Sequence, residues 1–523
     1  MPLKRELGFF TAALVIVASM IGGGIFYLPQ SIMNLSPSGW EYILLFVIGG
    51  AIAITGSMSY AELATIIPED GGEYQFLKKI FGHLPAFLTG WISLLVGFTA
   101  SIAMAGLTLQ YYLIPFLDVV LGTKEHWLHN KWIFRGAVSC FITILGSMHI
   151  IGVKFGSRIQ NMLTVIKVCI ILSLIIAGFV AFSMTDFSTA LTFEMPKSQS
   201  HNFGGFMSAL IMVMYVFSGW NGATYIAGEM KDPERNLPKA LFWATFITMI
   251  IYILLNLVFI TALTPSKLAN NYTFGAQTAQ ALYGAKVTTL YNFFITIILF
   301  SSISAQLMIG PRVYFKMAQD KILFSSLAKI HPKTNTPVIA IMVQIVLSIL
   351  YVFSVNPDTL VNYMGFALSI FPILTVGGLI YWRHKFPDIK RPYKVFAYPI
   401  TPIIFIGSSI IMLIASLING FQNPKHNSLG YMIAFAVIEI GFFSFYVWDK
   451  KYKSLFKNFH MTAIILISYI SVFIIMIVTQ AYRYLNYKIK PSPLYGAVLI
   501  TVGMVVIISI SFLAWKKKTQ EKG

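Results

Sequence analysis

The sequence has little charge and almost no cysteine. Asp, Glu, Lys and Arg make up 11% of its 523 residues, whereas hydrophobic residues make up 57% and the mean hydropathy is +0.74. Soluble globular proteins carry about 25% charged residues, so that class is excluded. The two cysteines, Cys140 and Cys169, both lie in apolar segments, which argues against a disulfide framework and a cysteine metal site. We expect neither a metal nor a cofactor.

Apolar runs recur from one end of the chain to the other, and each is long enough to cross a bilayer as a helix of about 20 residues. This pattern predicts an all-α polytopic membrane protein. Lys4 and Arg5 precede the first run without a small-residue cleavage site, so we interpret that run as a span and not as a signal peptide. The fourteen predicted spans cover residues 8–34, 40–66, 86–117, 132–150, 157–183, 203–228, 238–263, 286–315, 337–355, 359–381, 399–419, 428–448, 460–481 and 494–515.

Basic residues outnumber acidic residues by 38 to 19, which gives a net charge of +19. A nucleic-acid partner would be one explanation, but the charge follows the predicted spans. We call the side that carries both termini and the loops after even-numbered spans the basic face. It carries 27 of the 38 basic residues, against ten on the other side and one, Lys167, inside a span. This asymmetry predicts cytoplasmic termini and contact with membrane lipid, with no nucleic-acid partner.

Two predicted spans are interrupted by glycine near their middle. Span 1 contains VASMIGGGIFYLPQ, with Gly22, Gly23 and Gly24 in succession, and span 6 contains MYVFSGWNGATYIAGEM, with Gly219 and Gly222. Each glycine weakens a helix by about 1 kcal/mol relative to Ala. One interpretation is close helix packing on small residues. The other is a pair of unwound helices around a midplane substrate site, which paired interruptions in two five-span halves indicate.

Four segments carry a resemblance to a known family. They are IGGGIF in span 1, YAELATIIPEDGGEYQFLKKIFG…FLTGW (60–91), FSGWN…GEMKDPERNLPKAL (217–241) and KFPDIKRPYKVFAYP (385–399). In this order they resemble signatures of the amino acid–polyamine–organocation superfamily, and the last two are similar to its L-amino-acid transporter branch. The resemblance implies a five-plus-five inverted repeat with broken helices 1 and 6. Its halves would be residues 1–183 and 184–383, with peripheral spans 11–14 at 384–523.

The resemblance also implies a substrate site at the two interruptions. Amides of the glycine triplet would hold the α-carboxylate of an amino acid, and backbone carbonyls of both spans would hold its α-amine. Family members usually have a hydroxyl residue where this chain has Gly23, so recognition by backbone alone is expected. Tyr215 would close over the substrate, although ordinary packing is the alternative. The implied substrate-binding residues are Met20, Ile21, Gly22, Gly23, Gly24, Tyr215, Phe217, Ser218, Asn221 and Phe366, with Ser369 as a further pocket residue.

Lys167 lies about ten residues inside span 5, roughly 15 Å deep. A lysine at this depth needs a cavity or a partner, so a functional role is expected. Candidate partners are the carbonyls of the 22–24 break and Ser301, Ser302 or Ser304. In related sodium-driven transporters, spans 1, 5 and 8 surround a sodium ion, and by resemblance the lysine ammonium would replace it. Whether Lys167 carries a coupling proton or links the moving parts of an exchanger stays open.

Other charged residues suggest supporting roles. Glu62, near the end of span 2, is expected to support the 68–83 linker. Glu439, inside span 12, is expected to contact a partner helix or a second copy of the chain. The charged residues after span 6 either form salt bridges at an inner gate or belong to a solvated loop: Glu229, Lys231, Asp232 and Arg235.

The predicted function is secondary active transport of amino acids, by proton symport or exchange and without sodium. HExxH and GxSxG motifs are absent from the sequence, so an enzyme is not expected. An amino acid sensor on the same fold is one alternative, and a cationic amino acid or polyamine exchanger is another. We expect no carboxylate beside the site, which favours neutral, apolar or aromatic substrates.

Partners and location follow from the loops. Some members of the L-branch join a heavy chain through a cysteine between spans 3 and 4, but DVVLGTKEHWLHNKW contains none. No disulfide-linked heavy chain is therefore expected, while a homodimer and a coupling proton stay open. The short loops favour a bacterial inner membrane.

Overall fold

The computed structural model describes residues 5–123, 127–195, 202–269, 273–354, 357–422, 437–442 and 444–445. Over these residues the regular structure is helical, and β-pairing is limited to two isolated bridges. Predicted spans 13 and 14, and most of span 12, lie outside the described residues. Six of the described helices are long and apolar enough to cross a membrane, which confirms the all-α polytopic class.

Predicted spans 1 to 11 all correspond to described helices, with ends that differ by a few residues. The α-helices in chain order are α1 (Phe9–Met20), α2 (Pro29–Asn34), α3 (Gly39–Ile66), α4 (Glu73–Phe81), α5 (His83–Ile92), α6 (Thr99–Thr108), α7 (Leu113–Val120), α8 (Lys131–Ile151), α9 (Val153–Ala181), α10 (Met184–Thr192), α11 (Phe203–Val216), α12 (Pro233–Leu268), α13 (Phe274–Tyr283), α14 (Ala285–Gln319), α15 (Val338–Ser354), α16 (Pro357–Lys385) and α17 (Ile400–Gln422).

Both glycine-containing spans are interrupted where the sequence predicts it. α1 ends at Met20, and a 3₁₀ turn (Gly24–Phe26) separates it from α2. α11 ends at Val216, and after residues 217–221 the chain continues as a 3₁₀ segment, Gly222–Glu229. Within this second interruption Gly219 has a φ of +96°, a left-handed conformation that glycine adopts without a Cβ clash.

Three helices lie outside the predicted spans, namely α4, α10 and α13. α10 begins with a capping box: the Ser183 hydroxyl accepts from the Asp186 amide, and the Asp186 carboxylate accepts from the Ser183 amide. This local signal was readable in the sequence. The amphipathic α4 lies in the linker between spans 2 and 3 and follows a glycine turn at Gly71 and Gly72.

Neighbouring helices enclose the two interruptions. α1 packs against α9, α12 and α14, and α11 packs against α3, α16 and α17. α17, which is span 11, packs against α3, α11 and α16. Its Phe405 ring fills the space beside Gly56 and contacts the Trp220 ring at 5.9 Å between centroids. Cys140 and Cys169 are free and exposed on the helix surface.

Candidate substrate site at the interrupted helices

The two interruptions lie against each other. A Cβ atom on Gly219 would lie 2.7 Å from the Ser19 Cβ, and one on Gly24 would lie 3.4 Å from the Val216 Cα. Only glycine fits the first position without a backbone shift. Close packing and unwinding, which the sequence left as alternatives, therefore occur together at this contact.

Backbone polar groups at the contact are left without partners. Within the described part of the chain, the amides of Gly22, Gly23 and Gly24 donate to no hydrogen-bond acceptor. The carbonyls of Phe217 and Ser218 likewise accept no hydrogen bond from described residues. An unpaired buried N–H or C=O costs about 1–3 kcal/mol, so these groups are suited to a ligand that carries both a carboxylate and an ammonium.

The two carbonyls just before the glycine triplet are already engaged. The Met20 carbonyl accepts from the Tyr252 hydroxyl at 2.6 Å. The Ile21 carbonyl accepts from Lys167 Nζ at 2.6 Å and from Ser302 Oγ at 2.8 Å. Both lone pairs of the Ile21 carbonyl are used, which leaves it no capacity for a substrate amine.

Two cavities adjoin the interruptions. The smaller cavity, about 20 Å³, is lined by Ser19, Met20 and Gly22–Gly24. The larger cavity, about 100 Å³, extends from Gly219 toward the basic face. A cavity needs about 10–15 Å³ to hold one water. The smaller cavity therefore has room for about one water and is too small for an amino acid. Both cavities are lined by Ser101, Tyr215, Ser218 and Gln306.

Tyr215 separates the two cavities. Its ring lies 3.4 Å from the position that a Cβ on Gly24 would occupy, and its hydroxyl bonds the Ser101 side chain. Asn221 lines the larger cavity and donates from Nδ2 to the Tyr225 hydroxyl at 3.2 Å. Tyr215 thus lies where a substrate moving between the cavities would pass, and Asn221 lies in the wall of the larger cavity.

The aromatic candidates do not all line the site. The Phe217 ring is fully buried against Tyr252, with 5.1 Å between ring centroids, so its contribution is its backbone carbonyl. Ser369 lines the larger cavity. The side chain of Phe366 lies outside those that the structure describes.

Lys167 is completely buried and ties three spans together. Its Nζ donates to the Ala18 carbonyl at 3.1 Å, to the Ile21 carbonyl at 2.6 Å and to Ser302 Oγ at 2.9 Å. These acceptors come from spans 1 and 8, and the two carbonyls precede the glycine triplet. Three acceptors match the three N–H groups of an ammonium. The geometry is therefore that of a cation coordinated by oxygen atoms.

Ser301 and Ser304, also candidate partners of Lys167, face elsewhere. Ser304 Oγ bonds His149 Nε2 at 2.9 Å. The Ser301 hydroxyl is buried without a partner among the described residues, and its carbonyl accepts from Gln160 Nε2 at 3.3 Å. A helix presents residues three or four apart on one face, so neither neighbour of Ser302 shares its direction.

A family model for amino acid permeases matches residues 7–443. This chain belongs to the amino acid permease family. The permease is similar to the large neutral amino acids transporter small subunit 2 of Mus musculus, with 29% identity over 456 residues (86% of this chain, 83% of that protein). It is also similar to the cystine/glutamate transporter of Homo sapiens (27% over 460 residues; 86% and 87%) and the b(0,+)-type amino acid transporter 1 of Mus musculus (29% over 454 residues; 86% and 89%).

Family membership confirms three predictions made from the sequence: the superfamily, amino acid transport in general, and a transporter in place of an enzyme. The permease is a multi-pass integral membrane protein.

A carboxylate lines the larger cavity of the permease, contrary to the expectation that none lies near the site. Glu73, the first residue of α4, is 5% exposed and accepts from Thr375 Oγ1 at 3.2 Å. Burial raises the pKa of the Glu73 carboxyl to about 7. Sequence analysis missed it because α4 lies in a polar linker, and only the fold turns that linker inward.

Glu229 pairs with a different residue from those expected. Its carboxylate binds Arg312 of α14, with Nε 2.8 Å from Oε1, and both side chains are buried. Asp70 accepts from the adjacent Gly228 amide at 2.9 Å, and burial together with the Glu229 carboxylate raises the Asp70 pKa to about 7. The Glu229 carbonyl also accepts from the Leu7 amide at 2.9 Å. This cluster closes the basic face below the span 6 interruption, in place of a bridge among the loop residues Lys231, Asp232 and Arg235.

Glu62 and Glu439 lie away from the two cavities. Glu62 binds Arg383 and accepts from the Val395 amide at 2.7 Å, so it anchors the loop after span 10 and not the 68–83 linker. Glu439 lies on the short described part of span 12. There the Val437 carbonyl accepts from Trp91 Nε1 at 3.1 Å, which places this segment against α5.

Proposed function

We propose that this permease carries amino acids across the cell membrane by secondary active transport, with the α-carboxylate and α-amine bound between the two interruptions. The observation that carries the proposal is the juxtaposition of unpaired amides on span 1 with unpaired carbonyls on span 6, beside the smaller cavity. A zwitterionic headgroup supplies the complementary acceptor and donor within a few ångströms of each other.

The carboxylate takes the amides of the glycine triplet, Gly22 to Gly24. The α-ammonium takes the carbonyls of Phe217 and Ser218, with the remaining lone pair of the Met20 carbonyl as a third acceptor. Ile21 faces Lys167 and does not contact the amine. Because these contacts are backbone contacts, they recognise the part that all α-amino acids share and leave the side chain to the larger cavity.

Tyr215 acts as the gate between the cavities. The ring already lies against the span 1 break, so its displacement is needed before an amino acid reaches the unpaired amides. The larger cavity is lined beside it by apolar side chains, Ile92, Phe98, Trp220 and Ile309. This lining supports neutral amino acids with apolar or aromatic side chains as the substrate class.

Sodium does not drive the cycle in this proposal. Lys167 supplies a positive charge between spans 1, 5 and 8 with all three of its N–H groups bonded. A sodium ion there would be repelled by the ammonium and would find its oxygen ligands already used. Exchange or proton symport remains as the energy source.

The orientation follows from charge. The basic face carries the Glu229–Arg312 ion pair, and its excess of Lys and Arg supports a cytoplasmic location by the positive-inside rule. The loop between spans 3 and 4 contains no cysteine, so the permease is proposed to work without a disulfide-linked heavy chain.

The test is uptake of radiolabelled amino acids into proteoliposomes that contain the purified protein. Internal amino acid, a pH gradient and a sodium gradient are imposed one at a time. Uptake that needs internal amino acid indicates an exchanger, and uptake that follows an inward proton gradient indicates a symporter. Saturable binding without uptake at any gradient would overturn transport and favour the sensor, and a sodium requirement would overturn the role given to Lys167.

A further inference from the structure

We propose that Glu73 binds a proton when the larger cavity is closed to water and releases it when the cavity opens to the basic face. This proposal rests on the transport function and assigns a titrating group to its cycle. Lys167, the ionisable group that the sequence pointed to, has every N–H bonded and no acidic partner among the residues that the structure describes. Glu73 differs from it in lining the cavity directly.

The fold turns the Glu73 side chain inward. Gly71 and Gly72 have φ values of +101° and +51°, and a Cβ on Gly72 would lie 2.6 Å from the Thr224 hydroxyl and 2.8 Å from the Tyr225 ring. The start of α4 is thereby pressed against the 3₁₀ segment of span 6. The carboxylate is left 5% exposed at the cavity wall.

No cation compensates the charge of Glu73 among the residues that the structure describes. The groups that face it are hydroxyls from each element packed around it: Tyr60 of α3, Thr89 of α5, Thr375 of α16 and Tyr225 of the 3₁₀ segment.

The nearby lysines are committed elsewhere. Lys78 pairs with Asp320 at 2.7 Å, and Lys79 pairs with Glu69 at 2.6 Å. A buried carboxylate without a cation favours its neutral form, which agrees with a pKa raised to about 7. The helix dipole at the start of α4 favours the charged carboxylate, but this effect is weaker than the cost of removing the carboxylate from water.

The consequence for the cycle is a proton taken up at each closure. In an open cavity water solvates the carboxylate, so the group ionises and the proton passes to water. Closure removes that water and needs the neutral carboxyl, so it takes a proton back from the basic face. Because the protonated fraction falls as the pH rises through the folded pKa, transport should slow as the pH rises.

The experiment is exchange of a radiolabelled substrate in proteoliposomes with equal pH on both sides. For a group with a pKa of about 7, the protonated fraction falls about tenfold between pH 6 and pH 8. We expect wild-type exchange to fall by that factor and Glu73→Gln exchange to vary by less than about twofold. Glu234→Gln is the control, since it removes an exposed carboxylate that lines neither cavity and should retain the wild-type pH profile.

Each outcome decides between the possibilities. A flat wild-type profile, or a Glu73→Gln profile that still falls like the wild type, would overturn the proposal. If Glu73→Gln does not fold, Glu73→Asp takes its place and must shift the midpoint of the profile; an unchanged midpoint would overturn the proposal as well. Absence of wild-type exchange at every pH would be a failure of the transport function instead.

Discussion

Lys167→Met is the variant that tests how the interrupted helix is held. The methionine keeps most of the buried stem of the lysine but removes three hydrogen bonds, to the Ala18 carbonyl, the Ile21 carbonyl and Ser302 Oγ. Hydrogen bonds from a charged donor contribute about 1.5–3 kcal/mol each. Against this, the variant recovers the cost of placing a lysine charge at membrane depth, about 2.5–3.5 kcal/mol.

The lost hydrogen bonds and the recovered cost of the charge largely cancel, so the change in the free energy of unfolding is small. With the lower hydrogen-bond value the net loss is about 1–2 kcal/mol. In a chain of 523 residues this corresponds to a fall in melting temperature of at most a few degrees. For transport the same loss is large. If it falls on the substrate-bound arrangement of the span 1 break, affinity decreases about 5- to 30-fold, since 1.4 kcal/mol is a factor of ten.

The assay is initial uptake against substrate concentration in proteoliposomes, together with the melting temperature of the purified variant. Lys154→Met is the matched control. Lys154 lies on the same helix with its side chain 70% exposed, and its 3.3 Å ion pair with Glu6 should contribute at most about 1 kcal/mol. Wild-type uptake and KM in Lys167→Met, or sodium-dependent uptake in the unaltered permease, would refute the role that we assign to the ammonium.

Three further variants test the contacts around the site. Gly219→Ala forces a φ of +96° on alanine and puts its Cβ 2.7 Å from the Ser19 Cβ. We therefore expect a lower melting temperature and loss of uptake. An active variant would show that the interruption does not have this conformation. Arg312→Met leaves Glu229 buried without its cation, which should lower the free energy of unfolding by about 3–5 kcal/mol. The double variant Arg312→Met/Glu229→Gln should regain part of this loss. A double variant no more stable than the single one would contradict this account. Tyr215→Phe keeps the ring and should keep the KM, whereas Tyr215→Leu should raise the KM by about tenfold; equal KM values would exclude a gate at this position.

The features that sequence analysis predicted are those carried by local signals. The apolar runs placed spans 1 to 11, and a glycine triplet in the middle of an apolar run marked the interruption of α1. Lys167 was identified because a charge at that depth has few explanations other than a partner. In the structure Ser302 lies where spans 5 and 8 meet the span 1 break and accepts from Lys167.

The features that were missed depend on residues brought together from distant parts of the chain. Glu229 meets Arg312 across 83 positions, and Glu62 meets Arg383 across 321. Glu73 looked like an ordinary polar linker residue, because nothing in its own segment records that α16 and span 6 cover it. A single sequence contains both side chains of such a pair but no signal that they are in contact. Neighbouring residues alone therefore cannot identify the partner.

In the proposed site, the peptide unit between Ile21 and Gly22 is held at its carbonyl end and offers its amide end to the substrate. The Ile21 carbonyl and the Gly22 amide belong to one planar unit, and in the trans form the C=O and N–H bonds point in opposite directions. Lys167 binds the carbonyl end at 2.6 Å, so the amide end is turned toward the smaller cavity. An ammonium on the carbonyl also polarises the unit and strengthens the N–H as a donor, because hydrogen bonds in a chain reinforce one another. A carboxylate bound at Gly22 would therefore complete a chain of ammonium, peptide and carboxylate. In the proposed site the lysine would thus act on the substrate without touching it, and sodium would not be needed to supply the charge.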